Sequence, residues 1–174
     1  MEKRNLFITG GCRSGKSSYA LREACRVGGE NRIFLATSVP ADPEMEHRVA
    51  AHRRERGNAW RTIEEPEAVG ECIARLKKQV DVILVDCLTL WISNLLCSHN
   101  DEKYIKDRIE ILVTALGSPG CPVFMVSNEV GCGIVPENSL SRAFRDMAGY
   151  ANQKAAQTAD RVIWMVSGIP VKIK

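Results

Sequence analysis

The sequence predicts an α/β fold with a mostly parallel central sheet covered by helices on both faces. Two observations carry that reading. Short apolar runs alternate with segments of helical periodicity along the whole chain. The runs are continuously apolar rather than alternating, as strands buried on both faces must be. With 174 residues, 45% of them hydrophobic, the chain suits one domain, 1–174, with a substantial core.

The elements follow in order. Asn5 to Thr9 reads as a short strand and Gly10 to Gly15 as a glycine-rich turn, with a helix from Lys16 to about Val27. Arg32 to Thr37 is the second strand. Asp42-Pro43-Glu44 places acids in the first turn of a helix that runs to about Arg56. Pro66 opens the next helix, with Val69, Cys72, Ile73 and Leu76 on one face. Asp81 to Asp86 is a buried strand, followed by a helix from Leu88 to Cys97. Ile105, Ile109, Leu112, Val113 and Leu116 form the stripe of another helix. Cys121 to Ser127 is a strand. Leu140, Phe144, Met147, Ala148, Ala151 and Ala155 mark a further helix. Arg161 to Val166 is the last long strand, and Val171 to Lys174 adds a short one.

Composition narrows the function. Twenty-four basic and 21 acidic residues leave a net charge of +3, too mild to argue for nucleic acid. No apolar run approaches the roughly 18 residues that cross a membrane, and the N-terminus lacks the pattern of a signal peptide. The expectation is a cytoplasmic protein. The seven cysteines are odd in number, widely spaced and without C-x-x-C, which argues against a zinc site. They read mostly as small core residues in a reducing compartment.

Gly10-Gly11-Cys12-Arg13-Ser14-Gly15-Lys16-Ser17 fits G-x-x-x-x-G-K-[ST] between a strand and a helix. Glycines let the backbone turn tightly and present N–H groups to phosphate oxygens, and the helix N-terminus adds partial positive charge. Lys16 is placed to reach the β- and γ-phosphates, and the Ser17 hydroxyl to complete a Mg²⁺ shell. The motif in this context narrows the fold class to a P-loop NTPase-like three-layer α/β fold. Asp86, ending the run Val82 to Val85, either holds Mg²⁺ through water opposite Ser17 or caps the following helix.

The stretch Glu44 to Arg56 is the most unusual. At helical spacing Met45, Val49, His52 and Arg56 share one face, and Arg48 lies one turn before His52. A histidine beside several arginines can stay unprotonated and nucleophilic, because nearby positive charge lowers its pKa. The arginines can hold the phosphates under attack. The same stretch, with four arginines and three glutamates among its 13 residues, also reads as a solvated mixed-charge helix with a structural histidine. Residue chemistry alone leads to a P-loop phosphotransferase with an unexplained histidine.

Several segments together resemble one family. They are the phosphate loop, Ala36-Thr37-Ser38, Glu44-Met45 with Arg48-Val49 and His52-Arg53, and Asp86-Cys87-Leu88-Thr89-Leu90-Trp91. Ser127 to Pro136, Phe144-Arg145-Asp146 with Gly149 and Asn152-Gln153, and Ser167-Gly168-Ile169-Pro170 complete the set. The chain resembles the bifunctional adenosylcobinamide kinases / adenosylcobinamide-phosphate guanylyltransferases of cobalamin biosynthesis, over essentially its whole length. That resemblance implies two reactions. Adenosylcobinamide is phosphorylated from GTP or ATP. A histidine then takes GMP from GTP and passes it to adenosylcobinamide phosphate, giving adenosylcobinamide-GDP. The histidine that matches is His52, not His47. The resemblance also implies that Thr37, Ser38, Arg53, Arg54, Glu55, Arg56 and Glu64 join residues 10–17 and Asp86 around the nucleotide, that Mg²⁺ assists, and that the chain is a homotrimer. Cys12 departs from the small residue expected there, and its side chain is expected to point away from phosphate. Two other readings remain beside this one: a kinase with a structural His52, and a nucleotide-gated interaction module.

The loop Asn128 to Pro136 follows a strand end, where α/β proteins place ligand loops. Gly131 and Gly133 suggest close backbone approach or positive φ. A role in corrinoid binding and a plain structural turn are both compatible with it.

Overall fold

The computed structural model describes residues 5–39 and 57–174. The helix expected over 42–56 falls outside them. The described strands are β1 (Leu6–Gly10), β2 (Arg32–Ala36), β3 (Arg61–Glu64), β4 (Val82–Asp86), β5 (Val123–Val126), β6 (Arg161–Val166) and β7 (Ile169–Lys172). The helices are α1 (Lys16–Arg26), α2 (Val69–Leu76), α3 (Leu88–His99), α4 (Glu102–Gly117) and α5 (Ser139–Thr158). The sheet order is β3-β2-β4-β5-β1-β6-β7. Every neighbouring pair is parallel except β6 and β7, which form an antiparallel hairpin.

The apolar runs divide their residues between two cores, because successive side chains leave a strand on opposite faces. Phe7, Ile33, Leu35, Ile83, Val85, Val123 and Met125 pack under α2 to α5. Leu6, Ile8, Phe34, Val82, Leu84, Phe124 and Val126 pack under Ala20, Leu21 and Ala24 of α1. Both faces need apolar side chains, so strict alternation never appears. Among the described residues the layers are helices, sheet and helix, as expected.

Four local readings need correction. The strand β3 was not expected. Arg-Thr-Ile-Glu contributes only Ile63 to packing, and its pairing with β2, Ile33 opposite Arg61 through Ala36 opposite Glu64, makes it a strand. The helix α2 begins at Val69 rather than Pro66, because the Glu65 carboxylate accepts from the N–H groups of Glu67 and Ala68 and holds Pro66 in the preceding turn. The strand β7 begins at Ile169, since Ser167 and Gly168 both take positive φ and turn the chain at once. Leu140 lies exposed on the first turn of α5, whereas Met147, Ala148, Ala151 and Ala155 are buried. The cysteines divide against expectation as well: Cys72, Cys87 and Cys121 are buried, and Cys12, Cys25, Cys97 and Cys132 are exposed.

Lys77, just beyond α2, is a buried cation with a structural task. Its ammonium donates to the carbonyls of Ala115 (3.1 Å), Leu116 (2.6 Å) and Ser118 (2.7 Å). These are end carbonyls of α4, where a cation also meets the helix dipole favourably. Burial lowers its pKa, opposed by Cys121 and Asp160. A buried carbonyl left without a donor costs about 1–3 kcal/mol. The Ala115 carbonyl also accepts from Ser118 and the Leu116 carbonyl from Asn5, so Lys77→Met strands the Ser118 carbonyl and is expected to cost about 1–3 kcal/mol and to lower Tm by roughly 2–12 °C, read by thermal denaturation.

Candidate nucleotide site

The parallel strands bring their C-terminal ends to one rim of the sheet, and the phosphate-loop motif lies at its centre. It leaves β1, which sits between β5 and β6. Gly10 has φ 147°, and a Cβ there would stand 2.4 Å from the carbonyl oxygen of Met165 on β6. Gly15 has φ 87° and starts α1 without a side-chain cap, so the first N–H groups of the helix face the loop. The turn between β6 and β7 closes on the same loop, Gly168 donating its N–H to the Ser14 carbonyl at 3.1 Å. Gly10→Ala combines a steric clash with a backbone strain of about 1–3 kcal/mol. It is expected to lower Tm and to weaken GTP binding at least about tenfold, as thermal denaturation and nucleotide titration would show.

Lys16 is buried inside this turn. Its ammonium donates to the Gly11 carbonyl at 2.5 Å and to Ser14 Oγ at 3.4 Å. Burial lowers its pKa, and Cys87, Cys12 and Asp86 act in the opposite direction. The charge of Asp86, at the end of β4, thus acts on Lys16. Ser17 follows Lys16 in the first turn of α1 and is half-buried, as is Asp86. A hydroxyl and a carboxylate are the hard oxygen donors that Mg²⁺ prefers, so the residues present fit that ion. Cys12 and Arg13 are exposed, Arg13 with φ 53°.

Thr37 and Ser38 follow β2 on the same rim. Thr37 is fully buried, and its hydroxyl donates to the Cys87 carbonyl (2.7 Å) and accepts from the Cys87 N–H (2.8 Å). Asn94 donates to its carbonyl at 2.7 Å. In this structure Thr37 clamps β2 to the segment that carries Asp86. The Asp86–Cys87 peptide is cis. Burial pushes the Cys87 thiol up to about 11, with Asp86 adding to the effect, so it stays protonated at neutral pH. Ser38 is half-buried beside the clamp, and Glu64 is exposed at the end of β3, level with Ala36. His52, Arg53, Arg54, Glu55 and Arg56, like His47, lie outside the described residues.

The loop after β5 docks against the phosphate loop. The Glu129 N–H donates to the Gly10 carbonyl at 3.0 Å, and the Glu129 carboxylate accepts from the Gly131 N–H at 2.7 Å. Thr89 Oγ1 accepts from the Asn128 N–H (2.7 Å) and shares a hydrogen bond with Ser127 Oγ (3.2 Å). From α5, Asn152 donates to the Asn128 carbonyl (3.1 Å) and Arg145 to the Gly131 carbonyl (2.6 Å). Neither Gly131 nor Gly133 has positive φ. Gly131 serves close approach, since a Cβ there would lie 2.9 Å from Glu129 Oε1. Sequence reasoning gave no task to Thr89, Ser127, Arg145, Asn152 or Gly168. Their hydrogen bonds join separate elements, and nothing in local spacing announces them.

The rim therefore offers a cradle of N–H groups, a buried lysine and two oxygen donors, which together can hold and polarise a triphosphate. Known proteins agree with this geometry. By overall fold the chain resembles the RadB recombinase (TM-score 0.50, 15% identity, 92% of this chain and 73% of that one). It also resembles the ATPase domain of G40P (TM-score 0.53, 14% identity, 93% and 69%) and the flagellar accessory protein FlaH of Methanocaldococcus jannaschii (TM-score 0.51, 13% identity, 99% and 78%). These likenesses show the P-loop NTPase-like fold alone. The bifunctional adenosylcobalamin biosynthesis protein CobP of Pseudomonas aeruginosa is 40% identical over 97% of this chain and 96% of its own length. CobU of Salmonella typhimurium, of the same description, is 41% identical over 97% of this chain and 99% of its own length. The family model described as cobinamide kinase / cobinamide phosphate guanyltransferase matches residues 6–173. The chain is thus a member of the bifunctional cobinamide kinase / cobinamide phosphate guanylyltransferase family.

Proposed function

We propose that one domain, residues 1–174, carries out both reactions on adenosylcobinamide, using the phosphate loop to hold the triphosphate and His52 to carry GMP. In the first, the primary hydroxyl of the aminopropanol arm attacks the γ-phosphorus of GTP or ATP. An O–P bond forms, the β–γ bridging bond breaks, the nucleoside diphosphate leaves and the hydroxyl proton passes to solvent. In the second, a ring nitrogen of His52 attacks the α-phosphorus of GTP and pyrophosphate departs with the bridging oxygen. A phosphate oxygen of adenosylcobinamide phosphate then displaces the imidazole, giving adenosylcobinamide-GDP. A phosphoramidate keeps the GMP transferable, and each half-step is easier than a direct displacement.

Lys16 and the first N–H groups of α1 hold the negative oxygens, and they suit both leaving groups because each develops charge on the β-phosphate. Ser17 and Asp86 would hold Mg²⁺, which supplies charge neutralisation at the phosphates when bound. Arg53, Arg54, Glu55, Arg56, Ser38 and Glu64 complete the nucleotide surroundings, with Thr37 setting the strand ends. The reading includes a homotrimer acting in the cytoplasm, where nucleoside triphosphates are supplied.

The observation that supports it best is Lys16, buried within a left-handed glycine cradle and under the charge of Asp86. The test is product analysis after incubation with adenosylcobinamide, GTP and Mg²⁺. Adenosylcobinamide phosphate appearing first and adenosylcobinamide-GDP after it is the expected result. Phosphate ester alone, with GTP in excess, would reduce the protein to a kinase.

A further inference from the structure

The segment Phe144 to Gln153 has no task in either transfer step, and it builds one wall of a cleft. The cleft is about 450 Å³, lined by Lys106 of α4, by Gly131 of the loop after β5, and by Arg145, Asp146, Gly149 and Gln153 of α5 among others. Arg145, Gly149 and Gln153 recur every four residues and so share one helix face. Both helices start at the rim that carries the phosphate loop, because each runs back to the start of the strand that follows it. The loop connects cleft and cradle directly: Arg145 holds the Gly131 carbonyl, Gly131 donates to Glu129, and Glu129 donates to Gly10.

Gly149 is the telling residue. It lies in the interior of the 20-residue helix α5 with no positive φ, and a Cβ there would meet nothing within 4 Å. Glycine in a helix interior destabilises relative to alanine. The helical glycine of α2 shows what a packing reason looks like, since a Cβ at Gly70 would stand 2.8 Å from the backbone nitrogen of Leu112. Among the described residues Gly149 has no such reason. The open space over Gly149 leaves room for the close approach of something bound in the cleft.

We propose that this cleft is the acceptor subsite, where the carboxamide-bearing edge of the corrin ring rests on Gly149 while the aminopropanol arm extends along the 128–131 loop to the phosphates. The inference rests on the function proposed above and names the residues that receive its acceptor. The lining chemistry selects the amide edge. Carboxamides both donate and accept, and they meet donors from Lys106 and Arg145, an acceptor in Asp146 and an amide in Gln153. At about 450 Å³ the cleft takes part of the macrocycle, as an open subsite would.

The test is equilibrium dialysis of adenosylcobinamide, followed by its visible absorbance, against the parent protein, Gly149→Leu and Asp146→Ala. Gly149→Leu places a side chain in open space and is expected to weaken corrinoid binding at least tenfold. GTP affinity and the rate of GMP–enzyme formation without corrinoid should stay within twofold. Asp146→Ala changes an exposed side chain, guards against misfolding of the first variant, and should weaken corrinoid binding several-fold. Gly149→Ala should raise Tm by a few degrees and still weaken the corrinoid, which a purely structural glycine would not do. Parent-like corrinoid binding in folded Gly149→Leu would overturn the proposal. So would a changed oligomeric state as its main effect, which would make the cleft a subunit contact. A parent protein that binds no corrinoid would overturn the functional reading itself, and the subsite with it.

Discussion

Replacing Lys16 by alanine is expected to lower kcat/KM for both kinase and guanylylation by at least about 10²–10³-fold, the scale on which removal of one positioned donor acts. In the proposed mechanism both reactions hold the triphosphate at the same oxygens, so neither should be spared. The loss should not come from unfolding. Burial holds the Lys16 pKa below its ordinary 10.5, so the charged form is less comfortable folded than unfolded. Between the lowered value and 10.5 the unfolded chain binds the extra proton, and stability therefore rises with pH across that window. Lys16→Ala removes this component along with the buried charge. Its Tm at neutral pH should match or exceed that of the parent while activity collapses. Parallel loss of stability and activity would place Lys16 among the packing residues instead.

Replacing His52 by asparagine is expected to separate the two activities. Guanylyl transfer should fall at least about 10⁴-fold, as it does when a covalent nucleophile is removed. In the proposed mechanism phosphorylation of adenosylcobinamide passes through no enzyme-bound intermediate, so it should stay within several-fold of the parent. The variant would then accumulate adenosylcobinamide phosphate from GTP and stop, which chromatography of the corrinoid products reads directly. Asparagine keeps a polar side chain of similar reach but offers no nucleophilic ring nitrogen. Undiminished guanylyl transfer would return His52 to a structural role.

Much of the architecture was legible because burial on two faces imposes a pattern that a single sequence shows. The runs at Val82 to Val85 and Cys121 to Val126 are apolar throughout for that reason. The phosphate loop was legible because its glycines answer to local backbone geometry, which Gly10 and Gly15 display. The strand β3 was not, since one apolar residue in four carries no period and pairing with β2 decides its state. Exposure of Cys12, Cys25, Cys97 and Cys132 was hidden as well, because a cysteine's place depends on neighbours distant in sequence. The clamp of Thr37 on Cys87 spans 50 residues and the hold of Arg145 on Gly131 spans 14. Hydrogen bonds of that kind leave no trace in composition or spacing. His52 stood out in sequence by its company of arginines, and its role rests on family resemblance.

The guanylyl-histidine is the central claim, and mass spectrometry tests it most directly. The protein would be incubated with GTP and Mg²⁺ without corrinoid, weighed intact and then mapped by peptide. The account predicts one GMP on the peptide that contains His52, labile to acid as a phosphoramidate is, and missing in His52→Asn. No adduct under conditions where GTP demonstrably binds, or an adduct on another residue, would contradict it.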